Sequence, residues 1–166
     1  YLDQEIPVGW VKGQLSDISE IIMGQSPSGE SYNTEGIGEI FYQGRTEFGF
    51  RFPEVKSYTS EPKRRAKKGD ILMSVRAPVG DLNIANSNCC IGREVASLCS
   101  KNGNNSFLFY SMKKVKRQFD IANEDGTVFG SITKDGLHEV EILIPKLEVI
   151  SAFNEYSSKM DDKIAN

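Results

Sequence analysis

The chain has 166 residues, 39% hydrophobic and 26% charged, a balance that fits one folded domain around one core and excludes both a disordered chain and two ordinary domains. Its longest apolar runs last only a few residues, so no membrane span is expected. The net charge of -3 excludes a protein that coats nucleic acid indiscriminately. Three cysteines, two of them adjacent at Cys89 and Cys90, and the single histidine His138 give neither a disulfide framework nor a zinc spacing. Reduced, buried thiols in a cytoplasmic protein are expected, with no metal and no cofactor.

Residues 1–9 read as an extended lead-in punctuated by Pro7 and Gly9. Across residues 11–23, Leu15, Ile18, Ile21 and Ile22 recur at three- and four-residue spacing, which predicts a short helix or turn leading into a strand, with Ser16 as its cap. Gly24 ends it, and the Ser, Gly, Asn and Thr of residues 25–38 read as a loop. Residues 39–43 have strand content and Gly44 breaks them. Residues 45–53 alternate charges with aromatics without a helical period, which places them in an exposed loop or irregular hairpin. Residues 54–69 are polar and basic, and Pro62 discourages a helix through them.

Residues 70–75 read as a buried strand, the Ala77-Pro78-Val79-Gly80 run as a turn, and residues 81–85 as a returning strand. A further strand covers residues 94–99. After the break at 101–105, Leu108, Met112, Val115 and Phe119 mark one face of an amphipathic helix with Ser106 as its cap. Residues 127–132 look like a strand around Gly130, Thr133 caps a turn through Leu137, and Val140, Ile142 and Ile144 alternate as in a half-buried strand. Pro145 stops that strand. Ile150, Phe153, Met160 and Ile164 then predict one apolar face of a last helix, with Tyr156 at its edge. A first residue of Tyr and a helix still running at Asn166 are what a piece of a longer polypeptide would show.

Charge is unevenly placed. Lys63, Arg64, Arg65, Lys67 and Lys68 form one run and Lys113, Lys114, Lys116 and Arg117 another, together nine of the twenty Lys and Arg. If both face one side, that side attracts phosphates while the remainder repels them. Solvated faces are the bland alternative.

Catalytic patterns are weak. His138 lacks a nucleophile elbow, Gly36-Ile37-Gly38 lacks the third glycine of a dinucleotide fingerprint, and Glu54-Val55-Lys56 is a nuclease-like tripeptide without a companion carboxylate. No motif for holding a flipped adenine occurs. Binding without catalysis fits better. An Arg fork matches guanine O6 and N7, and Gln matches adenine N6 and N7. Gln43, Arg45 and Arg51 lie around a strand end and its loop, and Arg76 ends the next major strand, so these four are candidate base readers. Lys63, Arg64, Arg65, Lys67 and Lys68 are candidate phosphate contacts. Pairing of Arg76 with Asp70 or Asp81 remains an alternative, and Arg93 is expected to be structural.

Seven landmarks fall in one order: Trp10 with Leu15 and Ile18, Gly24-Gln25-Ser26-Pro27, Gly69-Asp70-Ile71-Leu72, Arg76-Ala77-Pro78-Val79-Gly80, Ile91-Gly92-Arg93, the stretch 126–137, and Ile142-Leu143-Ile144-Pro145 before a helix. On these the chain resembles a target-recognition domain of the Type I restriction-modification specificity subunits. The resemblance implies a single α/β (α+β) recognition domain over residues 1–145, with a curved mixed sheet and irregular DNA-facing loops. Residues 146–166 would begin a spacer or dimerisation helix. It further implies half of a reader of split double-stranded DNA sites, not itself an enzyme. Its partners would be methyltransferase subunits and a restriction subunit, with a homodimer through the last helix as one way to restore two halves. The sequence departs from the family's pattern after Pro145, where Lys146-Leu147-Glu148 stands in place of a second proline and a Glu-Gln pair. A recognition part of a fused methyltransferase-nuclease and a protein-interaction module are the alternatives.

Overall fold

The computed structural model describes residues 6–124 and 130–165. The chain opens with β1 (Val11–Gln14), passes through one helical turn, α1 (Leu15–Ile18), and enters β2 (Ser19–Met23). The expected turn before a strand is present, but Ser16 lies inside it. Asp17 holds its start instead, accepting the Gln14 N–H on Oδ2 at 2.7 Å. There follow β3 (Tyr32–Asn33), β4 (Glu39–Tyr42), β5 (Ser57–Thr59), β6 (Arg65–Ala66), β7 (Ile71–Ser74), β8 (Leu82–Ile84), β9 (Cys89–Ile91) and β10 (Val95–Ser100). The last third holds α2 (Asn105–Glu124), α3 (Lys134–His138), β11 (Glu141–Ile144) and α4 (Leu147–Ala165).

These elements make a mixed α/β fold, but its strands divide among three sheets where one curved sheet was expected. β1 pairs with β11, β2-β10-β7-β8 form an antiparallel sheet, and β3-β5-β4-β9-β6 form a mixed sheet in which β4 and β9 run parallel. The reason lies in β7, whose four residues are all buried. Ile71 and Met73 face a core with Leu15, Leu98, Leu108, Met112, Val115 and Leu137, while Leu72 faces a second core with Tyr42, Cys89, Ile91 and Val95. A strand covered on both faces reads as a continuous apolar run: residues of α1, α2 and α3 cover one side of β7 and the mixed sheet covers the other. Each fully buried Leu, Ile or Met contributes about 1.5–3 kcal/mol.

Helix α2 buries Leu108, Met112 and Val115 against that first core, as its period predicts. Its cap comes from elsewhere. The N–H groups of Ser106 and Phe107 both donate to Asn154 Oδ1 of α4, at 3.0 and 3.4 Å, while the Ser106 hydroxyl donates to Asp161 at 2.6 Å. Thr133 does cap α3, accepting the Gly136 N–H at 3.1 Å. Residues 130–132 lie against the end of β7 through Ala77 N–H to Gly130 O and Ile132 N–H to Val75 O. The remainder of the strand expected there, and residues 126–129 of the sixth landmark, lie outside the described residues.

The apolar stripe expected along α4 is mostly exposed. Ile150 is buried, but Phe153, Tyr156, Met160 and Ile164 are exposed, and the inward residues after Ile150 are Asn154, Ser157 and Asp161. Ile150, the edge-to-face contacts of Phe153 with the Phe107 and Tyr110 rings, and polar bonds to the start of α2 dock this helix, and Tyr156, Met160 and Ile164 are left outward.

Candidate nucleic-acid interface

Because β4 and β9 are parallel, they end together at Tyr42 and Ile91, and the chain leaves both at the same edge. Gly92 N–H donates to Tyr42 O at 2.8 Å, Gln25 N–H to Ile91 O at 3.0 Å, Gly24 N–H to Val95 O at 2.9 Å and Arg93 N–H to Ser26 Oγ at 3.2 Å. Val75 N–H donates to Glu94 O at 2.9 Å, which brings the end of β7 to the same place. One seam of paired backbone therefore carries Gln25, Gln43, Arg76 and Arg93, all with exposed side chains. Glycine makes the seam possible. A Cβ on Gly24 would stand 2.0 Å from Gly92 O, and one on Gly92 would stand 2.8 Å from Gln43 O, so the backbones approach closer than any side chain permits.

Beside the seam stand Lys63 and Arg64. Ile91 N–H donates to Arg64 O at 2.9 Å, and β6 runs antiparallel to β9, so both cations sit at the end where Arg93 emerges. Lys67 and Lys68 lie beyond the other end of β6, where Lys68 N–H is bonded to Asn88 at 2.9 Å. At about 3.3 Å per residue, Lys67 stands about 13 Å along the strand from Lys63. The first basic run is thus split into two groups by Arg65 and buried Ala66. Between them Arg65 is held by Glu39 through Nε and Nη2, each at 2.9 Å, and these bonds raise its pKa.

The four candidate base readers part company. Gln43 is exposed and belongs to the seam. Arg45 is exposed on a tight turn, with Nε 2.9 Å from Asp81. Asp81 also lies 3.2 Å from Lys116, whose ammonium bonds to Asp120 at 2.8 Å. Burial alone would lower the Lys116 pKa, yet the bonds to Asp120 and Asp81 leave it raised. Arg76 pairs with neither suggested carboxylate. Asp70 is buried and accepts from Lys67 N–H and Ser97 Oγ, while Asp81 serves Arg45 and Lys116. Among the described residues Lys63, Arg64, Arg76 and Arg93 have no carboxylate partner.

Arg51 is a correction. Its side chain is 6% exposed, ion-paired with Asp161 and bonded to Tyr110 Oη at 3.2 Å, with Cζ 4.9 Å from the Phe109 ring centre. A guanidinium so enclosed is withdrawn from any groove. The loop that carries it is exposed at Arg45 and Phe50 but buried at Arg51 and Pro53.

Sequence reasoning missed Gln25 and assigned Arg93 to structure. Their signal was the adjacent glycines: a glycine needed for close backbone approach at a strand end marks where neighbouring side chains are offered outward. On the second basic run Lys113, Lys114 and Arg117 are exposed on α2, and Lys113 lies over the Phe109 ring at 5.4 Å. The nuclease-like tripeptide is an exposed loop segment in which Lys56 bonds to Thr46 O at 2.5 Å. No three His, Cys, Asp or Glu among the described residues are placed to hold a metal, and no helix among them is long and apolar enough to cross a membrane. Cys89 is buried, and burial pushes its thiol up to about 12.

Residues 7–151 match the family described as the Type I restriction modification DNA specificity domain. The chain is 42% identical over 164 residues to the Methanocaldococcus jannaschii protein named "Putative type I restriction enzyme MjaX specificity subunit", covering 96% of this chain and 38% of that one. Among solved structures, the HsdS subunit from Thermoanaerobacter tengcongensis superposes with a TM-score of 0.79 at 36% identity, over 99% of this chain and 40% of that one. A chain from a structure of complex assembly and conformational transition of the type I R-M system gives 0.82 at 36% identity, over 99% and 41%. The chain thus spans about two fifths of the length of these relatives.

Proposed function

Since the chain belongs to the Type I restriction modification DNA specificity domain family, we propose that it reads one half of a split double-stranded DNA site, as a recognition domain within a specificity subunit. The observation that carries this reading is the seam. Gln25, Gln43, Arg76 and Arg93 are exposed, the two arginines have no carboxylate partner among the described residues, and Lys63 and Arg64 stand alongside. Such a patch supplies groove readers on a rigid base with phosphate contacts at its border. Arg45 joins the set by leaving Asp81, whose charge Lys116 continues to balance.

The domain contributes no bond-making chemistry in this reading. Methylation and cleavage belong to methyltransferase and restriction subunits that it directs to the site, in the cytoplasm. The exposed stripe of Val149, Tyr156, Met160 and Ile164 on α4 suits pairing with another helix, from a second recognition half or a second copy. Relatives named as specificity subunits favour this over the fused methyltransferase-nuclease.

Selection from random duplexes by the assembled complex tests the proposal. A bipartite consensus is expected, and replacing Gln43 and Arg76 together should alter one half of it only. Enrichment of no sequence, or a consensus untouched by those changes, refutes the reading.

A further inference from the structure

We propose that Arg51 and Asp161 are a positioning pair that ties the reading loop 44–54 to α4, so that the seating of α4 sets where Gln43 and Arg45 stand against the duplex. This rests on the function proposed above and adds a control over the same site.

The loop is already braced on one side. Gly44 N–H donates to Glu47 Oε2 at 3.0 Å and Glu54 N–H to Glu47 O at 2.7 Å, closing its neck. Gly49 exchanges two bonds with the Asn83 side chain, at 3.0 and 2.9 Å, and Ile84 N–H donates to Arg51 O at 2.8 Å, fixing its tip to β8. The Arg51 side chain then crosses to the helices. It meets Asp161 of α4 and Tyr110 of α2, and Asp161 itself accepts from Tyr110 Oη at 2.9 Å and Ser106 Oγ at 2.6 Å. Two turns earlier on the same inward face, Asn154 caps α2. Sliding α4 by one turn would break the cap and the ion pair together.

A purely structural brace would be built otherwise. A buried ion pair holds two elements no better than well-packed apolar residues, because desolvation offsets much of the attraction. Here Arg51 Nε also has no acceptor among the described residues, which adds an unmade bond. What charge supplies instead is one register, since displaced partners are left buried and unpaired. The pair therefore trades strength for a defined placement of the loop on α4.

The test uses the full-length protein, alone and in its complex, with Asp161→Asn, Arg51→Lys and, in case either fails to fold, Tyr110→Phe. Amide exchange in residues 44–54 should quicken at least tenfold in the first two and less in the third, while residues 71–74 and 95–100 stay protected. The preference for the selected site over scrambled duplex should fall about tenfold in the same order, with scrambled binding unchanged, and Asp161→Glu should restore part of it. Equal quickening in every element reduces the pair to a brace and overturns the proposal. So does a loosened loop with full preference. A wild-type complex without preference among duplexes would sink the DNA reading itself, and this proposal with it.

Discussion

At the scale of single residues, availability separates the candidates. Arg76 has no carboxylate partner among the described residues, whereas Arg45 must first leave Asp81, so Arg76→Ala should be the costlier change: about 1–3 kcal/mol on the selected site if its fork reads a base, and little on scrambled duplex. Lys63→Ala should weaken all duplexes alike and reduce the slope of log affinity against log salt by about one. Binding titrations over a salt series distinguish the two, and a uniform loss from Arg76→Ala would remove it from the readers. The exposed positions of Gln43, Arg45 and Arg76 were legible in the sequence because each follows a strand whose content is plain. Arg51 was not, since its fate depends on Phe109, Tyr110 and Asp161, which no local pattern connects to it. Arg93 was expected to be structural; its backbone is bonded to Ser26, while its side chain is exposed.

At the scale of elements, periodicity disclosed what packs apolar groups and concealed what packs polar ones. The strands at residues 71–74 and 95–100 and helix α2 follow their hydrophobic patterns. Strands β5 and β6 do not, since two or three residues in a polar stretch become strands only by pairing with a neighbour. The fourth helix is the sharper case. Its apolar residues marked one face, but nothing in their period showed that Asn154 and Asp161 bond to the start of α2 beside Ile150 and Phe153. Asn154→Ala should therefore destabilise a different helix, α2, by about 1 kcal/mol through the lost cap. Exchange at the Ser106 and Phe107 amides should rise while the last turns of α4 are unaffected. Fraying confined to α4 would show that the cap contributes nothing to α2.

At the scale of the molecule, one buried strand shared by two cores makes the two large sheets a single cooperative unit, and a pair of its buried groups reports on that unit. Burial pushes the Cys89 thiol from 9.0 to about 12 and, as the largest cause, the Tyr42 phenol from 10.0 to about 12; both side chains belong to the core between the sheets. For each, the native state holds its proton where the unfolded chain has lost it. Their contribution is whole below pH 9 and is lost as pH rises toward 12, at no more than about 1.4 kcal/mol per pH unit for each group. Denaturant midpoints should therefore be level from pH 7 to 9 in respect of these groups and fall from pH 9 upward, first through the thiol and above pH 10 through the phenol as well. Cys89→Ala should lessen the decline between pH 9 and 10 while lowering the plateau; what is left of the decline belongs to Cys90 and Cys99, whose thiols burial also raises. If the wild-type midpoint instead holds level to pH 11, the thiol and phenol ionise freely in the folded protein, and the second core is open to water.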